Sequence, residues 1–101
     1  MTVRHDLVVV GGGPAGYAAA LYGAAAGLGV GRVGEHSLGG TCLHVGCIPA
    51  KELLGTASVL RTVGGAAGFG VGTGGDEPTV DLAVSQVGKQ KVIDGLVKGL
   101  G

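Results

Sequence analysis

The order of pieces in the first third of the chain constrains the fold most. A Val-rich apolar run from Arg4 to Val10 is followed by Gly11-Gly12-Gly13-Pro14-Ala15-Gly16 and then by a stretch of Ala, Leu and Tyr from Ala15 to Ala26. A short apolar run closed by glycines reads as a strand buried on both faces. The next stretch is rich in helix formers, and Gly27 with Gly29 supplies its stop. Val30 to Val33 reads as a second strand, weakened by Gly31 and Gly34. Strand, glycine turn, helix and strand within roughly 30 residues make a βαβ unit with parallel strands and a right-handed crossover. The expected fold class is therefore α/β and Rossmann-like.

Each glycine of Gly11-x-Gly13-x-x-Gly16 has a physical reason. Gly11 permits the tight turn out of the strand, Gly13 lets backbone approach a pyrophosphate, and Gly16 lets the helix pack on the strand. Pro14 and Ala15 fall in the first helical turn, where Pro loses no intrahelical bond. The amides there meet a phosphate at the positive end of the helix dipole. A glycine-rich connection without a ligand is the alternative, and the flanking strand and helix favour the nucleotide. The acidic residue wanted about 20 positions further on, for the ribose hydroxyls, has Glu35 as its nearest candidate. Gly34 stands where strand register would put that carboxylate, and a one-residue slip turns a side chain to the other face.

Further along, Leu53, Leu54, Ala57, Leu60 and Val63 recur at helical spacing from Lys51 onward, with Gly64-Gly65 as the stop. Phe69-Gly70-Val71 is a candidate short strand, and Gly72 to Pro78 a loop. Asp81 is a candidate start for a last helix with Val84, Val87, Ile93, Leu96, Val97 and Leu100 on its apolar face. Gly88, Gly95 and Gly99 are expected to interrupt it.

With 101 residues there is room for one small domain. Twenty-four glycines and only 3% aromatic residues leave little area to bury per side chain, so weak intrinsic stability is expected. Seven basic residues balance seven acidic ones. That balance gives no reason to expect nucleic acid or an anionic membrane as partner. No run approaches the roughly 20 apolar residues of a membrane span, and the chain is expected to be cytoplasmic.

The chain's two cysteines, Cys42 and Cys47, lie in Gly39-Gly40-Thr41-Cys42-Leu43-His44-Val45-Gly46-Cys47-Ile48-Pro49-Ala50-Lys51. Thiols five positions apart can approach across about one helical turn, so a disulfide is possible where a helix is distorted or just starting. A helix N-terminus also stabilises a thiolate, the form that attacks disulfides. A metal site with His44 and His36 and a pair of inert buried thiols are the other readings.

This stretch resembles the redox-active disulfide signature of the class I pyridine nucleotide-disulfide oxidoreductases, approximately GGTC-x-N/H-x-GC-I/V-P-x-K. These flavoproteins include dihydrolipoamide dehydrogenase, glutathione reductase and mercuric reductase. Leu43, His44, Ile48 and Lys89-Gln90-Lys91-Val92 are most similar to the dihydrolipoamide dehydrogenases. The resemblance runs over nearly all 101 residues.

It implies a Rossmann-like FAD-binding fragment that is incomplete relative to the family's domain. FAD would contact Gly11, Gly13, Pro14, Ala15, Gly16, Glu35, Gly40, Thr41, Cys42, Cys47 and Lys51. Cys42 would be the interchange thiol toward a dithiol or disulfide substrate such as a dihydrolipoyl group, Cys47 the thiol next to the flavin, and Lys51 a group tuning it. His44 lies away from the family's catalytic base and is expected to be structural. The full-length family adds an NAD domain, a central domain and an interface domain that makes a homodimer, so residues 1–101 are expected to be an N-terminal fragment, inactive by itself. A non-catalytic module with weak FAD affinity and a glutathione- or mercuric-reductase-like enzyme are the alternatives. Gly34, where the family usually has Glu, is the main departure.

Overall fold

A computed structural model describes residues 2–101. Strand β1 spans Leu7–Val10, helix α1 Pro14–Ala25 and strand β2 Val30–Val33. The strands pair in parallel, with Leu7 opposite Val30 and Val10 opposite Val33. Helix α1 packs on both of them, as the βαβ pattern requires. The close helix-to-strand approach depends on small residues: a Cβ on Gly16 would lie 2.6 Å from the Gly11 carbonyl oxygen, and one on Gly23 3.0 Å from Leu7. Gly27, at φ +87°, follows the end of α1 and donates its N–H to the Ala24 carbonyl. Positive φ there is open to glycine at little cost and closes the helix.

The sheet has two strands among the described residues. The expectation of strands buried on both faces is corrected: Val8 is 52% and Val10 83% exposed, while Leu7 and Val9 are half-buried beneath α1. A lone strand pair covered by one helix has one face packed and the other in solvent.

Two short steps lead from β2 into the second half, helix α2 at Gly40–His44 and helix α3 at Cys47–Gly64. Helix α3 begins at Cys47 rather than near Lys51. Pro49 falls in its first turn, where a missing N–H is tolerated, so the proline does not delay the helix. The strand expected at Phe69-Gly70-Val71 is replaced by a 3-10 turn, Ala66–Phe69, closed by Gly70 at φ +76°. Phe69 is 89% exposed there, and neither strand of the sheet reaches it to supply a ladder.

Helix α4 runs unbroken from Leu82 to Leu100. The expected interruptions at Gly88, Gly95 and Gly99 do not occur. Each interior glycine costs up to about 1 kcal/mol relative to Ala, and burial of one side of the helix against α2 and α3 offsets part of that. Asp81 caps the helix, its carboxylate accepting from the Val84 N–H at 3.2 Å. Of the anticipated apolar face, Ile93 is buried, Val97 and Leu100 are half-buried, and Val84, Val87 and Leu96 stay exposed.

Among the described residues the buried apolar core is therefore small: Leu43 on α2 and Ile93 on α4, two helices that pack on one another. The molecule is elongated, 69 × 25 × 16 Å, with a radius of gyration of 20.4 Å. A compact chain of this length would have about 13 Å. It exposes 7405 Å², where a compact monomer of its mass would expose about 5,100 Å². Ile93→Ala is expected to cost about 2–4 kcal/mol, and Leu82→Ala, at an exposed site, less than about 0.5 kcal/mol. Urea unfolding followed by helix circular dichroism checks this, and equal midpoints for the two variants would contradict the assignment of Ile93 to the core.

Candidate functional site

The phosphate turn is built at the end of β1. Gly11, at φ +108°, donates its N–H to the Val33 carbonyl at 2.7 Å, which ties the turn to the end of β2. Tyr17 donates to the Gly13 carbonyl at 2.9 Å and starts α1, with Pro14 as its first residue. A Cβ placed on Gly11 or on Gly13 would meet nothing within 4 Å. These two glycines open onto free space rather than onto protein. That is the cradle a bound pyrophosphate needs: close backbone, an uncrowded approach and a helix N-terminus. The residues present thus fit the pyrophosphate of FAD.

The cysteine loop is fastened to this turn. The Gly39 N–H donates to the Gly12 carbonyl at 2.8 Å. Gly40, at φ +60°, comes so close that a Cβ on it would lie 2.7 Å from the Gly13 Cα. His44 holds the same loop from the other side, its Nε2 lying 2.9 Å from the Leu38 carbonyl. A carbonyl can only accept, so Nε2 is the protonated nitrogen of that ring.

Cys42 and Cys47 form a disulfide, with Cα atoms 4.6 Å apart, within the range such a bridge requires. Cys42 lies on α2 and Cys47 opens α3, so the bridge spans the break between the two helices. Gly46 makes that break possible: a Cβ on it would lie 2.9 Å from the Thr41 carbonyl oxygen and 3.2 Å from the Cys42 Cα. Cys47, as the first residue of an 18-residue helix, sits where the dipole favours a thiolate after reduction.

Two hollows flank this junction. One, of about 540 Å³, is lined by Gly11, Gly12, Gly34, Glu35, Gly40 and Thr41, with His36, Ser37, His44 and Val45 completing it. It gathers the phosphate turn, the candidate ribose carboxylate and the approach to the disulfide in one cleft. The other, of about 410 Å³, carries Cys42 together with Pro14, Tyr17, Leu43, Ile48 and Leu96. Cys42 is half-buried there, whereas Cys47 and Lys51 are exposed and line neither hollow. Ala15 is likewise exposed on the first turn of α1.

One residue was not anticipated. The guanidinium of Arg32, on β2, lies against the phosphate turn: its Nη1 is 2.8 Å from where a Cβ on Gly12 would be and 2.9 Å from where one on Gly34 would be. The signal was in the sequence, because Arg32 and Gly34 are two positions apart and share a face of the strand direction.

The family model described as pyridine nucleotide-disulphide oxidoreductase matches residues 5–99. A dihydrolipoyl dehydrogenase of Bacillus subtilis (strain 168) is 45% identical over 100 residues, 99% of this chain and 21% of the relative. One from Thermus scotoductus is 45% identical over 96 residues, 95% of this chain and 19% of the relative. One from Acholeplasma laidlawii is 41% identical over 100 residues, 99% of this chain and 28% of the relative. The chain spans roughly a fifth to a quarter of the length of these relatives, and the glycine turn and the Cys42–Cys47 disulfide both lie inside the matched residues. The chain belongs to the pyridine nucleotide-disulphide oxidoreductase family.

Proposed function

We propose that residues 1–101 are the N-terminal part of an FAD-binding domain and carry the redox-active disulfide of a dihydrolipoyl dehydrogenase-like flavoenzyme. The observation that carries this is the junction of the two motifs, in which the Gly39 N–H bonds to Gly12 and Gly40 packs on Gly13. One rigid connection sets the distance between a pyrophosphate cradle and a disulfide. In this reading Gly11, Gly13, Pro14, Ala15 and Gly16 hold the pyrophosphate, Gly40 and Thr41 continue along it, and Glu35 is the carboxylate available to the ribose. Cys47 and Lys51 face the flavin end. When bound, FAD supplies the acceptor for the two electrons that the disulfide collects.

The thiol chemistry follows from the chain's own groups. A thiolate of a dithiol substrate attacks Cys42 Sγ in the apolar hollow, forming a mixed disulfide and releasing Cys47 as thiolate. The second substrate thiol, after losing its proton, attacks the substrate sulfur bound to Cys42. The substrate leaves as a disulfide, oxidised by two electrons, and the Cys42–Cys47 pair is left reduced. The helix α3 dipole favours Cys47 as the leaving thiolate. In a full-length, homodimeric protein of this kind the electrons would then pass to NAD+. A cytoplasmic location agrees with the use of a thiol pair as a redox centre rather than as a staple.

FAD titration of the chain, with flavin fluorescence as readout, tests the reading. Gly40→Val is expected to weaken binding about fivefold or more, since a side chain at positive φ and against Gly13 costs of order 1–3 kcal/mol. A variant that binds FAD as well as the parent would contradict the junction's role. Thiol alkylation after mild reduction gives a second test. Cys47 is exposed and Cys42 half-buried in the chain without ligand, so added FAD is expected to protect Cys47 and leave Cys42 reactive. Unchanged Cys47 labelling with FAD bound would count against its place beside the flavin.

A second reading, a nucleotide-binding module without catalysis, is favoured by the open fold. Dihydrolipoamide and NAD+ are expected to give no NADH with the 101 residues alone, and steady NADH production would exclude this second reading.

A further inference from the structure

Cys42 and Cys47 sit on elements of very different stiffness. Cys47 opens an 18-residue helix, whereas Cys42 is the middle residue of the five-residue helix α2. An isolated helix shorter than about 12 residues is marginal in water, so α2 depends on what ties it down. Its own backbone gives it little: the Val45 N–H donates to the Thr41 carbonyl at 3.0 Å and the Leu43 N–H to the Gly39 carbonyl at 3.4 Å. No side chain caps its first turn. The side chain of His44 joins the two ends instead. From the last residue of α2 its Nε2 reaches back to the Leu38 carbonyl, 2.9 Å away and just ahead of the Gly39 N-cap. Both residues are half-buried, so loss of the donor leaves a sheltered carbonyl without this partner, which is the costly way to lose a hydrogen bond. The ring lines the cleft of the phosphate turn and not the apolar hollow of Cys42. It therefore holds the turn without blocking the approach to the sulfur.

We propose that His44 is a positioning residue of the redox pair: its bond to Leu38 holds the turn that carries Cys42 against Cys47 and so biases the pair toward the disulfide. The inference rests on the reading of Cys42 and Cys47 as a redox pair and deepens it. Its physical basis is linkage. The bond is made while the disulfide fastens α2 to the start of α3. Reduction removes that cross-link, and a turn this short is then held by fewer ties. A contact that is firmer in one state stabilises that state by the difference, and what the disulfide does for the contact the contact does for the disulfide. Leu43, buried where α2 meets α4, and Gly39, bonded to Gly12, keep the segment attached to the fold without His44. Loss of the His44 bond thus loosens the turn and lowers the effective concentration of one thiol at the other, with the rest of the chain in place.

The test poises the 101-residue chain, without flavin, in buffers of reduced and oxidised glutathione and reads the state of Cys42 and Cys47 by alkylation and mass. Two glutathione thiols reduce the disulfide through a mixed disulfide and leave as glutathione disulfide, their two electrons and two protons passing to the cysteines. His44→Leu, which keeps bulk and loses the donor, is expected to shift this equilibrium about threefold toward the dithiol, within what one hydrogen bond supplies. His44→Gln, whose amide can donate from a similar reach, is expected to return most of the shift. An equilibrium unchanged in His44→Leu, or a shift that His44→Gln leaves in full, would overturn the proposal. Amide hydrogen exchange on the parent chain gives a second readout that does not depend on how a variant folds. The Leu43 and Val45 amides are expected to exchange about threefold or more faster in the dithiol form than in the disulfide form, and equal rates would overturn the proposal too. FAD titration of the same proteins decides the flavin reading separately: FAD binding without the shift removes only the role of His44, and the shift without FAD binding removes only the flavin.

Discussion

The hydrogen bond from the Gly39 N–H to the Gly12 carbonyl, at 2.8 Å, joins two segments with separate tasks. On one side is a turn made by β1 and α1, shaped to receive phosphate. On the other is a loop whose next residues start α2 and reach the disulfide. With Gly40 packed on Gly13, there is no room for a side chain on Gly40 at the contact. The glycine at position 40 is therefore what lets backbone meet backbone there. In the proposed function a cofactor along the turn would reach the disulfide loop through this contact, by way of Thr41.

The remaining structure serves this junction at low cost in burial. Helix α1 covers one face of a two-stranded sheet, and α3 with α4 extends away from it. Leu43 couples the parts, since it lies on α2 one residue after Cys42 and is buried where α2 meets α4. The core that holds the disulfide in place is thus the same core that holds α4. The exposed valines of β1 and the exposed side of α4 add surface without adding to that core.

Much of this was legible in the chain. The βαβ unit, its parallel pairing and the helix stop at Gly27 followed from a Val-rich run, a glycine turn and an Ala-rich helix, because those patterns are local. The pairing of Cys42 with Cys47 was legible as a possibility, since thiols five positions apart can meet where a helix is distorted or just starting; the break at Gly46 was not legible. The details that were not legible depend on what is absent around an element. Phe69-Gly70-Val71 has strand-forming residues, but a strand needs a neighbour to bond with, and the sheet edge does not reach it. Val8 and Val10 carry the pattern of a buried strand, but their exposure is decided by what covers the second face. Gly88, Gly95 and Gly99 lower the helix propensity of α4 without breaking it, because packing on α2 and α3 overrides local preference. Arg32 was not legible because where a long side chain ends depends on the turn that β1 and α1 build beside it.

The proposed function requires that the glycine turn hold a flavin against Cys47. The most direct measurement is the visible spectrum of the FAD-loaded chain after mild reduction with a dithiol. A thiolate stacked near the oxidised flavin gives a long-wavelength charge-transfer band, and that band is expected to form, to persist in Cys42→Ser and to be lost in Cys47→Ser. A chain that binds FAD, has its disulfide reduced and shows no such band would contradict the account.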